Sequence, residues 1–449
     1  MEGRSRRKPS GVSRLWIVLC GLAAVAAVVF AVWQAAEGAI SNSSEKDGRE
    51  MASLRPSDGE AGNSKLAGDG RGELTGDGTG ADSGSVSIFI RNESPAQGSE
   101  LEAEPASGES AEVGKPEETG DSTDGDLDYP ISDDSGGSIT LAFAGDVLLS
   151  DHVLNAYRSG GGIGGVVGGS LLQAANAADL FMVNQEFPFS NRGSAAPDKQ
   201  FTFRLPPEKV SMLQEMGIDL VTLANNHALD FGTDALLDTC RTLEEAGIPY
   251  VGAGENLERA KALYSQTIGG WTVGFLGATR VMPTADWAAT RSGPGMLSTY
   301  DPGILLEEIR KAKETCDYLV VYVHWGVERE ERPKDYQRQL GHQYIDAGAD
   351  LVIGSHPHVL QGIEYYQGKP IIYSLGNFVF GSSIPRTVLL KASWDGETTR
   401  LSVIPAVSSA GYTREVTEEK KVQELFSYLQ SISFDIQIDE LGNILSGEP

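Results

Sequence analysis

The sequence predicts an α/β fold carried on a membrane anchor and a long unstructured stalk, and three observations point to it. From Ile139 onward, short apolar runs alternate with amphipathic helical segments, the pattern of strands interleaved with helices. Residues 41–138 are rich in Gly, Ser, Asp and Glu, with only a small apolar island from Val86 to Ile90. Leu15 to Trp33 is an uncharged 19-residue apolar stretch.

The chain thus divides into a basic tail (1–14), a transmembrane signal-anchor helix (15–33), an acidic Gly/Ser-rich stalk (34–138) and one folded domain (139–449). Nineteen apolar residues can cross a hydrocarbon core of about 30 Å as a helix. Arg4, Arg6, Arg7, Lys8 and Arg14 precede the stretch and keep that end in the cytoplasm, so a single-pass arrangement places the domain outside the cell. Ala35, Ala36 and Ala39 offer a signal peptidase a site, but the apolar run exceeds the usual 7–15 residues of a cleaved signal, which favours a retained anchor. The stalk has too little apolar surface to offset the entropy of ordering and is expected to be disordered, a tether giving reach.

The formal net charge is −27, and no basic block or basic-aromatic interleaving occurs, so a nucleic-acid partner is not expected. An acidic domain that handles anions needs metals or a few local basic residues. Cys20 lies in the anchor, and Cys240 and Cys316 sit in apolar contexts that read as core, with a single bridge between them left open.

Within the domain, Ile139–Ala144 is the first expected strand and ends at Gly145-Asp146. Further strands are expected at 180–183, 220–223, 272–276, 318–323, 351–353 and 371–374. Helices are expected at 206–216, 233–246, 302–315 and 333–347, the last stopped by Gly348. The glycine-rich stretch 159–169 matches G-x-G-x-x-G but lacks a preceding strand, and a mobile loop is the better reading than a nucleotide site. Residues 418–431 carry Val422, Leu425, Phe426 and Leu429 at helical spacing, which reads as a packing helix.

Chemistry-bearing residues recur just after the expected strands. Asp146 follows the first, Asn184 and Glu186 the second, Asn225-Asn226-His227 the third, His324 the 318–323 strand, and His356 and His358 the next. Ligands of open α/β sheets bind at the carboxyl ends of strands, where residues distant in sequence meet. Each residue has an ordinary explanation alone: a helix cap, a salt bridge, a turn. Together, a mixed Asp, Glu, Asn and His set suits divalent ions such as Mn²⁺, Fe²⁺ or Zn²⁺. Pro357 is expected to hold His356 extended, which would aim His356 and His358 into one pocket. His152 and His342 read as ordinary residues. Arg204, just before a helix opened by Pro206, is a candidate for binding a carboxylate or phosphate of the substrate. Glu328 reads as a solvated loop acid.

The blocks Gly145-Asp146, Asn184-Gln185-Glu186, Ala224-Asn225-Asn226-His227, His324-Trp325-Gly326, Gly354-Ser355-His356-Pro357-His358 and Ser374-Leu375-Gly376-Asn377-Phe378 occur in this order. The constellation resembles the calcineurin-like metallophosphoesterase superfamily, and more closely its CapA-type branch of bacterial capsule (poly-γ-glutamate) synthesis proteins. The resemblance implies an α/β/β/α sandwich. It also implies that Asp146 and His358 hold one metal, that Asn226, His324 and His356 hold another, and that Glu186 bridges them. His227 becomes the proton donor to a leaving group. Apart from the resemblance, Asn225 and Asn377 join Arg204 as candidate substrate-binding residues, with Asn377 expected to support the loop beside the metals.

Three positions depart from the superfamily pattern: Leu148 stands where a histidine is usual, the bridging residue is a Glu, and Ala228 replaces an acid for which Asp230 can substitute. The expectation is therefore one or two metals in a cell-membrane protein that acts on an anionic extracellular polymer, with capsule synthase subunits as partners. An extracytoplasmic phosphoesterase or other hydrolase acting on a phosphoester is the alternative, and a non-catalytic polymer-binding scaffold is a third.

Overall fold

Two sheets take up the alternating segments in a computed structural model, which describes residues 137–447. The basic tail, the anchor and all but the last two stalk residues lie outside the described residues. Among the described residues no helix is long and apolar enough to cross a membrane.

The larger sheet has a parallel half and an antiparallel half. Ile139–Val147, Leu180–Gln185, Leu220–Thr222 and Tyr250–Val251 run parallel and side by side. On the other flank of Ile139–Val147 lies the antiparallel hairpin Ile384–Trp394 and Thr399–Ser409. The smaller sheet has the order Ile363–Tyr366, Lys369–Ile372, Leu351–Ser355, Tyr318–His324, Trp271–Thr279, Tyr264–Ile268, with its four central strands parallel.

The two-residue period of the strands sorts side chains into layers. Leu141 and Phe143 of the larger sheet meet Tyr318, Val320 and Tyr322 of the smaller one in an inner core. Ala142 and Ala144 face the opposite way, into an outer core to which Leu236 and Leu243 of the helix Gly232–Glu245 also belong. Leu319, Val321 and Val323 likewise face Leu305, Ile309 and Tyr344 of the helices Gly303–Lys313 and Asp335–Ala347. The order is helix, sheet, sheet, helix, the layering that the resemblance implies, and both faces of each parallel strand are buried, as continuous apolar runs require.

The structure revises three of the expected elements and settles the open point on the cysteines. The Ile384–Trp394 and Thr399–Ser409 hairpin was not expected, although Asp395-Gly396 marks its turn, with Gly396 at φ +100° and Asp395 Oδ1 accepting from the Glu397 and Thr398 amides. The helix expected over 206–216 is a 3₁₀ turn, Pro207–Val210, followed by a short helix, Ser211–Glu215. The glycine-rich stretch is pinned: Val166 and Val167 are buried, and a Cβ on Gly160 would lie 2.3 Å from the Gly165 Cα. Its glycines serve a close crossing of backbone. Cys240 and Cys316 are both free and buried, so no bridge joins them.

The C-terminal helix, Glu419–Ile432, buries Leu425, Phe426, Leu429 and Ile432 in the inner core and so closes one open edge between the sheets.

Candidate metal centre

The parallel strands of both sheets end at the same place, and the polar residues collect there. Asp146 sits near the end of its strand, and its amide donates to the Gly376 carbonyl at 2.8 Å. The approach depends on Gly145, where a Cβ would fall 1.8 Å from that same carbonyl oxygen. Glu186 directly follows Leu180–Gln185, and His324 is the last residue of Tyr318–His324. His356 and His358 follow Leu351–Ser355.

Two groups of ligand atoms result, each within 4.8 Å, and Glu186 belongs to both: Glu186 with His324 and His356, and Asp146 with Glu186 and His358. Glu186 Oε1 lies 3.6 Å from His324 Nε2, and its Oε2 lies 3.9 Å from His358 Nδ1. Asn226 Oδ1 joins the first group, 2.8 Å from His324 Nε2. In the second, His358 Nδ1 is 3.3 Å from Asp146 Oδ2 and 2.7 Å from Asn377 Oδ1.

Several of these atoms are buried without hydrogen-bond partners: Asp146 Oδ2, both Glu186 carboxylate oxygens and His356 Nδ1. Buried polar atoms without partners are costly, and here they converge. A cation in each group would satisfy all four, so the donor set fits divalent metal ions.

Burial and neighbours set the protonation states. Burial holds His324 well below the usual imidazole range, and nearby His356 pushes the same way. Burial and the neighbouring His358 bring His356 down to about 3. Both rings are therefore neutral, the form that binds metals. Burial, then the Asp146 charge, raises the Glu186 carboxyl well above its ordinary value. For His358 burial works downward, but the Glu186 and Asp146 carboxylates overcome it and raise the imidazole to about 10. That imidazolium stands beside Asp146 and Glu186.

The backbone reaches this arrangement differently from the expectation. His356 has φ +97° and His358 φ +59°, so the segment is a left-handed turn and not extended. Both rings still face one place, with centroids 5.8 Å apart. A left-handed residue before a proline is strained, and such strain is retained where the surroundings over-determine it.

The remaining expected residues have definite places. Asn225 is fully engaged within the protein: its Nδ2 donates to Asn184 Oδ1 and the Gln185 carbonyl, and its Oδ1 accepts from the His227 amide. Asn377 orients His358. Arg204 donates to the Arg192 carbonyl at 2.8 Å and lies over the Phe231 ring, apart from these ligand groups. His342 stacks on Tyr366 and meets Glu364, and His152 is an exposed helix residue, both outside the centre. Glu328 lines a cleft of about 470 Å³ that opens onto His358 and Asn377 and also includes Arg329 and Arg386.

His227 Nδ1 is 2.7 Å from Asp230 Oδ2, so Asp230 does supply an acid partner to the histidine. Its ring lies 4.5 Å from that of Phe203, and burial keeps it neutral despite the Asp230 carboxylate. Sequence reasoning missed two supporting residues. Ser355 Oγ stands 3.0 Å from His324 Nδ1, leaving Nε2 for a ligand. Lys199 bonds to the Asn226 carbonyl and to Asp230 Oδ1. Its only signal in the sequence is a lysine five residues before Arg204 in an acidic chain, and Arg204 looked the better anion binder.

Layered sheets whose strand ends converge on a carboxylate, histidine and asparagine cluster define a mixed α/β protein with a metal-type site. The chain belongs to the family of bacterial capsule synthesis proteins PGA_cap, whose pattern it matches over residues 140–382. It is 33% identical over 302 residues to the capsule biosynthesis protein CapA of Bacillus anthracis, covering 64% of this chain and 72% of that one. It is 36% identical over 255 residues to the PGA biosynthesis protein CapA of Bacillus subtilis, covering 56% of this chain and 65% of that one, just under two thirds of its length. Among solved structures, a phosphatase from Mycoplasma pneumoniae aligns with 65% of this chain and 99% of its own at 16% identity, with a TM-score of 0.40, a likeness too weak to argue from.

Proposed function

We propose that this chain is a membrane-anchored, extracytoplasmic protein of capsule poly-γ-glutamate synthesis, export or anchoring, and that it works through a metal-binding site. The relatives named for capsule and PGA biosynthesis support the polymer. The single observation that carries the site is the sharing of Glu186, both of whose buried carboxylate oxygens lack hydrogen-bond partners, between two ligand groups.

Asp146, Glu186 and His358 would hold one divalent ion, and Glu186, Asn226, His324 and His356 the other. Such ions, when bound, acidify a water and offset negative charge on a substrate. The protein's own part is to exclude water by burial, to keep His324 and His356 neutral, and to hold His227 oriented through Asp230. An imidazole so held can move a proton at its other nitrogen, Nε2. The adjoining cleft carries Arg329 as a local cation, alongside Arg386, which pairs with Glu331 at 3.3 Å.

Gene deletion complemented with wild-type or Glu186→Gln protein tests this reading. Wild type is expected to restore surface polymer and Glu186→Gln is not; full restoration by Glu186→Gln would remove the metal site from the function. The His227–Asp230 pair also supports the second reading, a phosphoesterase unrelated to capsule. That reading expects metal-dependent hydrolysis of an aryl phosphate by the purified protein, abolished in His227→Ala, with polymer unchanged on deletion.

A further inference from the structure

Asp230 is wholly buried, and a buried carboxylate needs partners. Its Oδ2 accepts from the Phe203 amide at 2.7 Å and faces His227 Nδ1; its Oδ1 takes the Lys199 ammonium. Lys199 does more than balance that charge. Its side chain is 12% exposed, it also donates to the backbone carbonyl of Asn226, and its Nζ stands 2.9 Å from His227 Nδ1. One ammonium therefore touches the peptide that carries a candidate metal ligand, the candidate proton donor, and the acid that orients that donor.

We propose that Lys199 is a positioning residue of this centre, clamping the Asn226-His227 turn so that Asn226 Oδ1 faces the metal group and His227 keeps its ring orientation against Asp230. The proposal rests on the metal-centre reading above. The geometry favours a clamp over a plain salt bridge, because an ion pair with Asp230 alone does not require the bond to the Asn226 carbonyl. Lysine suits such a clamp, since three donors on one compact cation can reach several groups of a single turn at once. Trp287, whose ring lies 5.2 Å from Nζ, walls the ammonium on another side.

The test compares wild type, Lys199→Met, Lys199→Arg and the double variant Lys199→Met/Asp230→Asn, as full chains, by Mn²⁺ titration, thermal unfolding and ¹⁵N NMR of the His227 ring without metal. Lys199→Met strands the Asp230 charge, so melting temperature falls; the double variant removes that charge and recovers most of the loss. Mn²⁺ affinity is expected to fall about 10- to 100-fold in Lys199→Met, as for other residues that orient ligands, and to stay low in the double variant. Lys199→Met is expected to shift the His227 ring resonances and Lys199→Arg to return them toward wild type.

A double variant that binds Mn²⁺ within twofold of wild type would reduce Lys199 to charge balance and overturn the proposal. Wild-type protein that binds no Mn²⁺ would overturn the metal reading instead. The His227 resonances then decide Lys199 alone, and unchanged resonances in Lys199→Met overturn its role.

Discussion

At the scale of single residues, the candidate metal centre holds a proton that a cation would have to displace. Burial and Asp146 raise Glu186, and the charges of Glu186 and Asp146 raise His358 to about 10 against the opposing effect of burial, so His358 holds a proton at neutral pH. A cation bound through His358 must expel that proton, so affinity should rise with pH and fall as pH drops. Calorimetry in buffers of different ionisation enthalpy should count at least one proton released per chain saturated; zero release at pH 7 would contradict the assigned states. The strained turn at His356 and His358 was not legible in the sequence. The preference of a pre-proline residue for extended backbone is a local rule, and the packing of two strand ends around Glu186 overrode it.

At the scale of elements, two attachments hold the layers around the site. The helix Glu419–Ile432 fills the inner core at its open edge, and Phe426 there is 4% exposed. Phe426→Ala should cost about 3–5 kcal/mol in chemical denaturation, the usual range for a buried aromatic. A loss below about 1 kcal/mol would mean that the helix is not part of the core.

The second attachment is Glu364, on the strand Ile363–Tyr366, which accepts from Arg338 at 2.8 Å and Tyr373 at 2.6 Å and meets His342 at 3.0 Å. Burial pushes Glu364 upward, but the Arg338, Tyr373 and His342 bonds win and hold it below its ordinary value. Its contribution is therefore complete above the unfolded carboxyl value and is lost as pH falls through the lower folded value. Glu364→Gln should lower stability at pH 7 by about 1–3 kcal/mol and narrow its gap to wild type under acid, which paired melting curves at pH 7 and pH 3 would show.

The helices Gly232–Glu245, Gly303–Lys313, Asp335–Ala347 and Glu419–Ile432 and most of the parallel strands were legible because each carries its own periodicity, and their ends fall within a few residues of the expected ones, whereas the helices Asp151–Ser159 and Gly169–Asn176 and the strand Tyr250–Val251 were not expected. The Ile384–Trp394 and Thr399–Ser409 hairpin was not, because its pairing partner is the first strand of the domain, far away in sequence.

At the scale of the whole molecule, the expectation is a tethered domain. The first described strand begins at Ile139, where the acidic stalk gives way to apolar periodicity. Protease added to intact cells should cut within residues 34–138 and release a folded fragment beginning near residue 139, detected by mass spectrometry. Protection of that region in intact cells, with cutting only after lysis, would place the domain on the cytoplasmic side.

The sequence by itself determined the longer helices, most of the parallel strands and the strand ends that bear ligands, since these follow from residue type and spacing. It could name Glu186, Asn226, His324 and His356 as candidates, but not show that Glu186 belongs to two ligand groups or that its oxygens lack other partners. Only the tertiary structure decided that, because such facts are distances between strand ends of different sheets. It also decided the place of Lys199, whose ammonium gains its meaning from Asp230, His227 and the Asn226 carbonyl, groups some thirty residues away that meet it only when the loop before Phe201 folds over the third parallel strand's end.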